Sequence, residues 1–185
     1  MTNWIATLEG IEELYLAHTS VSDRGIANLH PLKALTTLRL SGSTITNESI
    51  SSLTTFPRLR SLVLSQTSID DEGLAPLCRL SALQDLHVTE TAITDRGVRE
   101  LANCHKLATL SLEDTQVTDA AIPLLAAMKS LRIVSFFGTG VTDVAALTNR
   151  GIRVFWDKPH AEATANSIDD GSLPCDPCPV EARTR

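Results

Sequence analysis

Three observations predict an α/β solenoid, one parallel sheet backed by short helices, with about six repeats of 24 residues. Apolar residues open successive segments at Ile11, Leu35, Leu59, Leu83, Leu107 and Leu131, each 24 positions after the last. Each opener is followed at its fourth and sixth places by further apolar residues: Leu14/Leu16, Leu38/Leu40, Leu62/Leu64, Leu86/Val88, Leu110/Leu112 and Val134/Phe136. The hydrophobic period then changes within every unit, from two to between three and four. Recurrence at a constant spacing of this length is the signature of a repeat architecture.

The change of period separates strand from helix. In Leu83-Gln84-Asp85-Leu86-His87-Val88 the end alternates, so His87 faces the side opposite Leu86 and Val88. This half is a short strand. In the stretch from Thr94 to Cys104, Val98, Leu101 and Cys104 recur every three places behind a Thr/Asp start that can cap a helix. The same reading applies to Ile26/Leu29/Leu32, Ile50/Leu53/Phe56, Leu74/Leu77/Leu80 and Ile122/Leu125/Met128. One unit alone cannot offset the entropy of ordering its chain, so the units must stack, strand beside strand and apolar face against apolar face.

The ninth place is a small hydroxyl residue (Thr19, Ser43, Thr67, Thr91, Thr115, Thr139) and the eleventh is Val or Ile. A hydroxyl fixed beside the core predicts a hydrogen bond to backbone groups where the chain leaves the strand. The unit reads LxxLxLxxTx(I/V)(T)DxG(L/I/V)xxLxxLxx, and over roughly residues 5–156 it resembles the leucine-rich repeat family. In that family Asn usually fills the ninth place, here taken by Thr or Ser. The TxITDxGL wording is similar to short bacterial repeats and to the cysteine-containing type of F-box adaptors. The resemblance implies a solenoid with the parallel sheet on its concave face and short helices on its convex face, which binds a protein partner on the concave strand face without catalysis. An adaptor or effector role, ubiquitin-ligase-like, is the alternative it brings, although no segment resembles an F-box.

Three regions follow: 1–10, a partial N-terminal cap holding Trp4, Ile5 and Leu8; 11–156, the solenoid; and 157–185, a flexible tail rich in Pro and Asp. Near the end of the solenoid the spacing shortens, with Ile152 taken as the opener of a last strand, 21 residues after Leu131. Phe136, Phe137, Phe155 and Trp156 crowd this end, either as a plug on the last core layer or as an exposed anchor.

No signal-peptide-like start and no stretch approaching 18 apolar residues is present, so a cytoplasmic protein is expected. Cys78 and Cys104 fit that expectation as thiols on the helix face, Cys104 buried. The net charge of −6 arises from 13 basic and 16 acidic residues up to Trp156 and 3 against 6 beyond it. Such a balance argues against nucleic acid or an anionic membrane as partner.

The resemblance puts the outward strand residues on the binding face. Aromatic and Arg anchors dominate interface energy, which selects Tyr15, Arg39, Phe137 and Trp156. Between them lies an acidic middle of Asp85, Glu90, Glu113 and Asp114 around His87. Glu90, Glu113, Asp114 and His87 are a set that could hold a divalent cation, but a solvated acidic patch or a site for a basic partner is preferred, and no metal or other cofactor is expected. No nucleophile motif or phosphate-binding loop surrounds His18, His30, His87, His105 or His160, so no catalytic residue is expected. Cys175 and Cys178 form a single CxxC, readable as half a zinc site, a redox pair or an inert tail, the last being preferred.

Overall fold

A computed structural model describes residues 10–157. The expectations placed on Trp4, Ile5 and Leu8, and on the tail from Lys158 with His160, Cys175 and Cys178, lie outside the described residues.

Seven strands of three residues form one sheet in chain order: β1 (Glu13–Tyr15), β2 (Thr37–Arg39), β3 (Ser61–Val63), β4 (Asp85–His87), β5 (Thr109–Ser111), β6 (Ile133–Ser135) and β7 (Arg153–Phe155). Every neighbouring pair is parallel, so each connection must cross back over the sheet. The crossovers carry α1 (Asp23–Ala27), α2 (Ile50–Leu53), α3 (Asp71–Leu74), α4 (Asp95–Leu101), α5 (Ile122–Ala127) and α6 (Ala145–Asn149), several extended by a 3-10 turn. Among the described residues the sheet does not close, and β1 and β7 are its outermost strands.

Stacking brings the fourth-place residues Leu14, Leu38, Leu62, Leu86, Leu110, Val134 and Val154 opposite one another. With the sixth- and eleventh-place residues and the apolar helix faces they form one continuous core. Leu38, Leu62, Leu86 and Leu110 are fully buried, whereas Leu14 and Val154 in the edge strands are half-buried.

The hydroxyl at the ninth place acts as its position predicts. Thr19, Ser43, Thr67, Thr91, Thr115 and Thr139 each donate to the carbonyl three residues earlier, at 2.5–2.7 Å. The bond satisfies the sixth-place carbonyl as the chain turns out of the strand. Just before it, the eighth place is left-handed in six successive units: His18, Gln66, Glu90 and Asp114 have φ of 52–56°, and Gly42 and Gly138 have 63° and 67°. Four non-glycine residues in this sparsely populated region mark a turn set by the repeat and not by local preference.

The Asp of TxITDxG also does more than start a helix. Asp71 accepts from the backbone N–H of Thr94 at 2.8 Å and from its hydroxyl at 2.7 Å, while the same Thr94 hydroxyl accepts from Arg96 N–H and caps α4. Asp23 with Thr46, Asp95 with Thr118 and Asp119 with Thr142 repeat the pairing. At one step the chemistry is exchanged: where Thr becomes Asp70, the preceding Asp becomes Asn47, whose amide donates to the Asp70 carboxylate at 2.6 Å. Two facing carboxylates are thereby avoided. The glycine of the motif makes room for this contact, since a Cβ at Gly97 would collide with the Asp71 carboxylate and one at Gly73 with the Asn47 side chain.

Two expectations are corrected. Cys104 is not a thiol: it is bonded to Cys78, with Cα atoms 4.5 Å apart. Their sequence separation of 26 is one repeat plus two, so stacking brings the end of one helical half against the core position at the end of the next. The second correction is the register of the last strand. Val134 stands opposite Val154 and Ser135 opposite Phe155, so the strand lies one residue out of the phase expected from Ile152 as opener. Beyond Asn149, the last residue of α6, Gly151 (φ 73°) closes the helix with hydrogen bonds from Gly151 N–H to the Thr148 carbonyl and from Ile152 N–H to the Leu147 carbonyl. This Schellman ending turns the chain sharply, and Ile152 is buried just before the strand begins.

Candidate interaction surface

Alternation along each strand turns the third and fifth places of the unit away from the core. The fifth-place row reads Tyr15, Arg39, Val63, His87, Ser111, Ser135 and Phe155, and the third-place row Glu13, Thr37, Ser61, Asp85, Thr109, Ile133 and Arg153. Tyr15, Arg39 and His87 therefore belong to the outward row, as the repeat implies. Trp156 does not: the one-residue slip in β7 brings Phe155 outward and leaves Trp156 half-buried against the core. Among the described residues the exposed large apolar side chains are Tyr15, Phe137 and Phe155, so Phe155 was missed and the glycine ending of α6 was the signal that could have found it.

Strands about 4.8 Å apart make neighbouring places in a row direct contacts. At the β1 end, Tyr15 donates its hydroxyl to Glu13 at 2.6 Å, and the Arg39 guanidinium lies over its ring, 5.2 Å from the centroid. The hydrogen bond to Glu13 holds the Tyr15 phenol above its ordinary value. In the middle, His87 Nδ1 and Ser111 Oγ are 2.9 Å apart. Burial pushes the His87 imidazole below its ordinary value despite Asp85 and Glu113, which favour its charged form.

The acidic residues sit at the seventh and eighth places, along the turn side of the sheet. Glu90 accepts from the Gln66 amide at 2.8 Å, and Glu113 from the Ser135 hydroxyl at 2.6 Å. Asp114 lies against Gly138, whose N–H donates to Asp157 at 3.1 Å. Among the described residues no three His, Cys, Asp or Glu side chains converge as a metal-holding group, and the set of Glu90, Glu113, Asp114 and His87 is dispersed among separate partners. The one ion pair among the described residues, Arg96 with Glu72 at 3.8 Å, lies on the helix side. No described helix is long and apolar enough to cross a membrane.

The Leucine Rich repeat family model matches residues 58–78 and 81–102. No curated protein matches the sequence significantly. Among solved structures, internalin C2 of Listeria monocytogenes is similar over 83% of this chain and 84% of its own, at 26% identity and a TM-score of 0.54. A leucine-rich repeat protein of Leptospira interrogans aligns over 83% of this chain and 38% of its own, at 21% identity and a TM-score of 0.59. A chain of the mouse RP105/MD-1 complex aligns over 76% of this chain and 25% of its own, at 19% identity and a TM-score of 0.59. The 24-residue motif, the seven-stranded parallel sheet and these similarities agree on one fold, a leucine-rich repeat solenoid.

Proposed function

We propose that this protein is a non-catalytic interaction module that binds a protein partner on its concave strand face. The observation that carries the reading is the contrast within each strand: inward places hold a uniform apolar core, whereas outward places hold Tyr15, Arg39, His87 and Phe155 in a row that differs from unit to unit. A sheet of seven strands spans roughly 30 Å, enough for one side of a standard protein interface. The similar chain in the mouse RP105/MD-1 complex belongs to a protein assembly, which supports the same use. Recognition within an adaptor or effector is a narrower form of this reading.

Affinity capture followed by mass spectrometry tests it. A partner retained by the native chain should be lost when Tyr15, Arg39 and Phe137 are replaced by Ala, and kept when Lys129 and Arg99 on the helix side are reversed to Glu. The opposite pattern would move binding to the convex face.

The Cys78–Cys104 bond favours a second reading of compartment. Disulfides persist where the surroundings are oxidising, so the bond supports residence outside a reducing cytoplasm. Alkylation of free thiols in freshly isolated native protein distinguishes the two: modification of both cysteines without reductant would restore the cytoplasmic expectation.

A further inference from the structure

We infer that the β6–β7 end of the concave face is a receptor for a basic side chain, Lys or Arg, carried on an extended protein segment with apolar neighbours. The inference rests on the concave-face reading and adds the chemistry of the partner.

The seventh-place row supplies the geometry. In three successive units it reads Glu113, Phe137, Asp157, so an exposed phenyl ring stands between two carboxylates, one strand away on either side. Adjacency is fixed by hydrogen bonds: Asp114 N–H donates to the Phe137 carbonyl at 2.7 Å, and Gly138 N–H donates to the Asp157 carboxylate at 3.1 Å. Asp114 adds a third carboxylate beside Gly138. Phe155, outward on β7 opposite Ser135 and two places before the level of Phe137, is a second exposed apolar side chain at this end.

A cation is what this arrangement lacks. The three carboxylates have no ion-pair partner among the described residues. Arg153, the cation nearest in register, is at the third place of β7, beyond Phe155 and on the side of the sheet away from the acidic row. A Lys or Arg lying across Phe137 would gain attraction to the ring face and reach Glu113 or Asp157 with its charge. A purely acidic partner would be repelled, and a purely apolar one would leave the carboxylates facing it unpaired.

The protein contains its own example of this recognition. At the other end of the same sheet the Arg39 guanidinium lies over the Tyr15 ring, 5.2 Å from its centroid, while the Tyr15 hydroxyl donates to Glu13 at 2.6 Å. The Tyr15 ring thus has a guanidinium of its own chain over it, whereas among the described residues no cation lies over Phe137, which stands between carboxylates.

The test is titration of the full chain with fluorescein-labelled peptides of alternating Arg and Leu, against counterparts carrying Gln or Glu in place of Arg. The Arg peptide should bind, weaken as salt is raised to about 0.5 M, and lose about tenfold in affinity with Phe137→Ala or with Glu113→Gln, Asp114→Asn and Asp157→Asn combined. Tyr15→Ala should change it by less than about twofold. Circular dichroism checks that each variant is folded, and Glu113→Gln keeps an acceptor for Ser135. Equal binding of the Gln peptide, equal loss with Tyr15→Ala, or no binding of the Arg peptide overturns the inference. Tighter binding after Lys158→Ala would identify the chain's own next residue as the occupant, and also overturns it. If partner capture is lost with Tyr15→Ala but survives Phe137→Ala, the concave-face reading stands while this inference fails. If capture responds only to Lys129 and Arg99, the concave-face reading itself fails.

Discussion

The turn side of each unit and the outward strand face differ in how strictly they repeat. Between the ninth and fifteenth places the same hydroxyl, the same carboxylate and often the same glycine recur, and nearly every polar group there has a partner in its own or the adjacent unit. On the strand face the fifth-place row changes at every step but one, Ser111 to Ser135, and Phe137, Phe155 and Asp114 lie open to solvent. The contrast shows where the fold constrains the chain and where it leaves it free. An identical residue in every unit answers a demand of stacking, while a variable one is available for recognition.

Substitutions can break this contrast, beginning with the core both regions rest on. Leu86→Ala, at a fully buried position in the central strand, should cost about 2–5 kcal/mol in urea denaturation, and because each unit contacts only its neighbours the loss should spread as reduced cooperativity. Removing the disulfide with Cys78→Ser and Cys104→Ser should cost about 3.5 kcal/mol, the chain-entropy value for a loop of 26 residues. Dithiothreitol should lower the melting temperature of the native chain and leave that of the double variant unchanged.

The exchanged step of the carboxylate ladder gives a smaller and more specific effect. Asn47→Asp would set two carboxylates face to face and should cost about 1 kcal/mol at neutral pH, with Asp70→Thr in the same chain restoring the loss. The pH dependence has opposite signs in the two proteins. In the native chain the Asn47 amide holds the Asp70 carboxyl below its ordinary value, and the Thr142 hydroxyl and backbone do the same for Asp119. Depressed carboxylates contribute stability that is present above the unfolded-state value, about 3.9, and is lost as pH falls through the folded-state value. The Asn47→Asp variant should instead gain stability as pH is lowered into the carboxylate range, because protonating one partner relieves the repulsion. Thermal melts between about pH 3 and 7 read both slopes.

On the outward face the expected effect on stability is the smallest. Phe137→Ala should change unfolding free energy by no more than about 0.5 kcal/mol, since its ring is 41% exposed. A larger loss would mean that the ring supports the last core layer, collapsing the distinction between the two regions.

The strands and the hydroxyl bonds were legible because both follow from strict repetition: Leu38, Leu62, Leu86 and Leu110 specify one strand phase, and the ninth-place residue has one carbonyl within reach. The phase of β7 was not, because Ile152 sits where an opener would in spacing, while the Gly151 turn, a local backbone event, decides the register. The ladder through Asp71 and Asp95 reads in sequence as helix capping alone, since its partners belong to the next unit, and only the pairing of Asn47 with Asp70 carries a trace of it. The disulfide depends on two positions a repeat plus two apart, a relation visible only once the stacking distance is known. Of the anchors named on the face, Tyr15, Arg39 and Phe137 are placed by periodicity, and the one lost, Trp156, lies beyond the point where periodicity ends.

The carboxylate ladder gives the array a direction. Asp71 secures the start of α4, and Asp95 the start of the next helical segment, and among the described residues only the exchanged step, where Asp70 accepts from Asn47, has its carboxylate on the later unit. Damage to one rung therefore loosens the element after it and spares the one before, so fraying should travel toward the β7 edge, as a zip opens from one side.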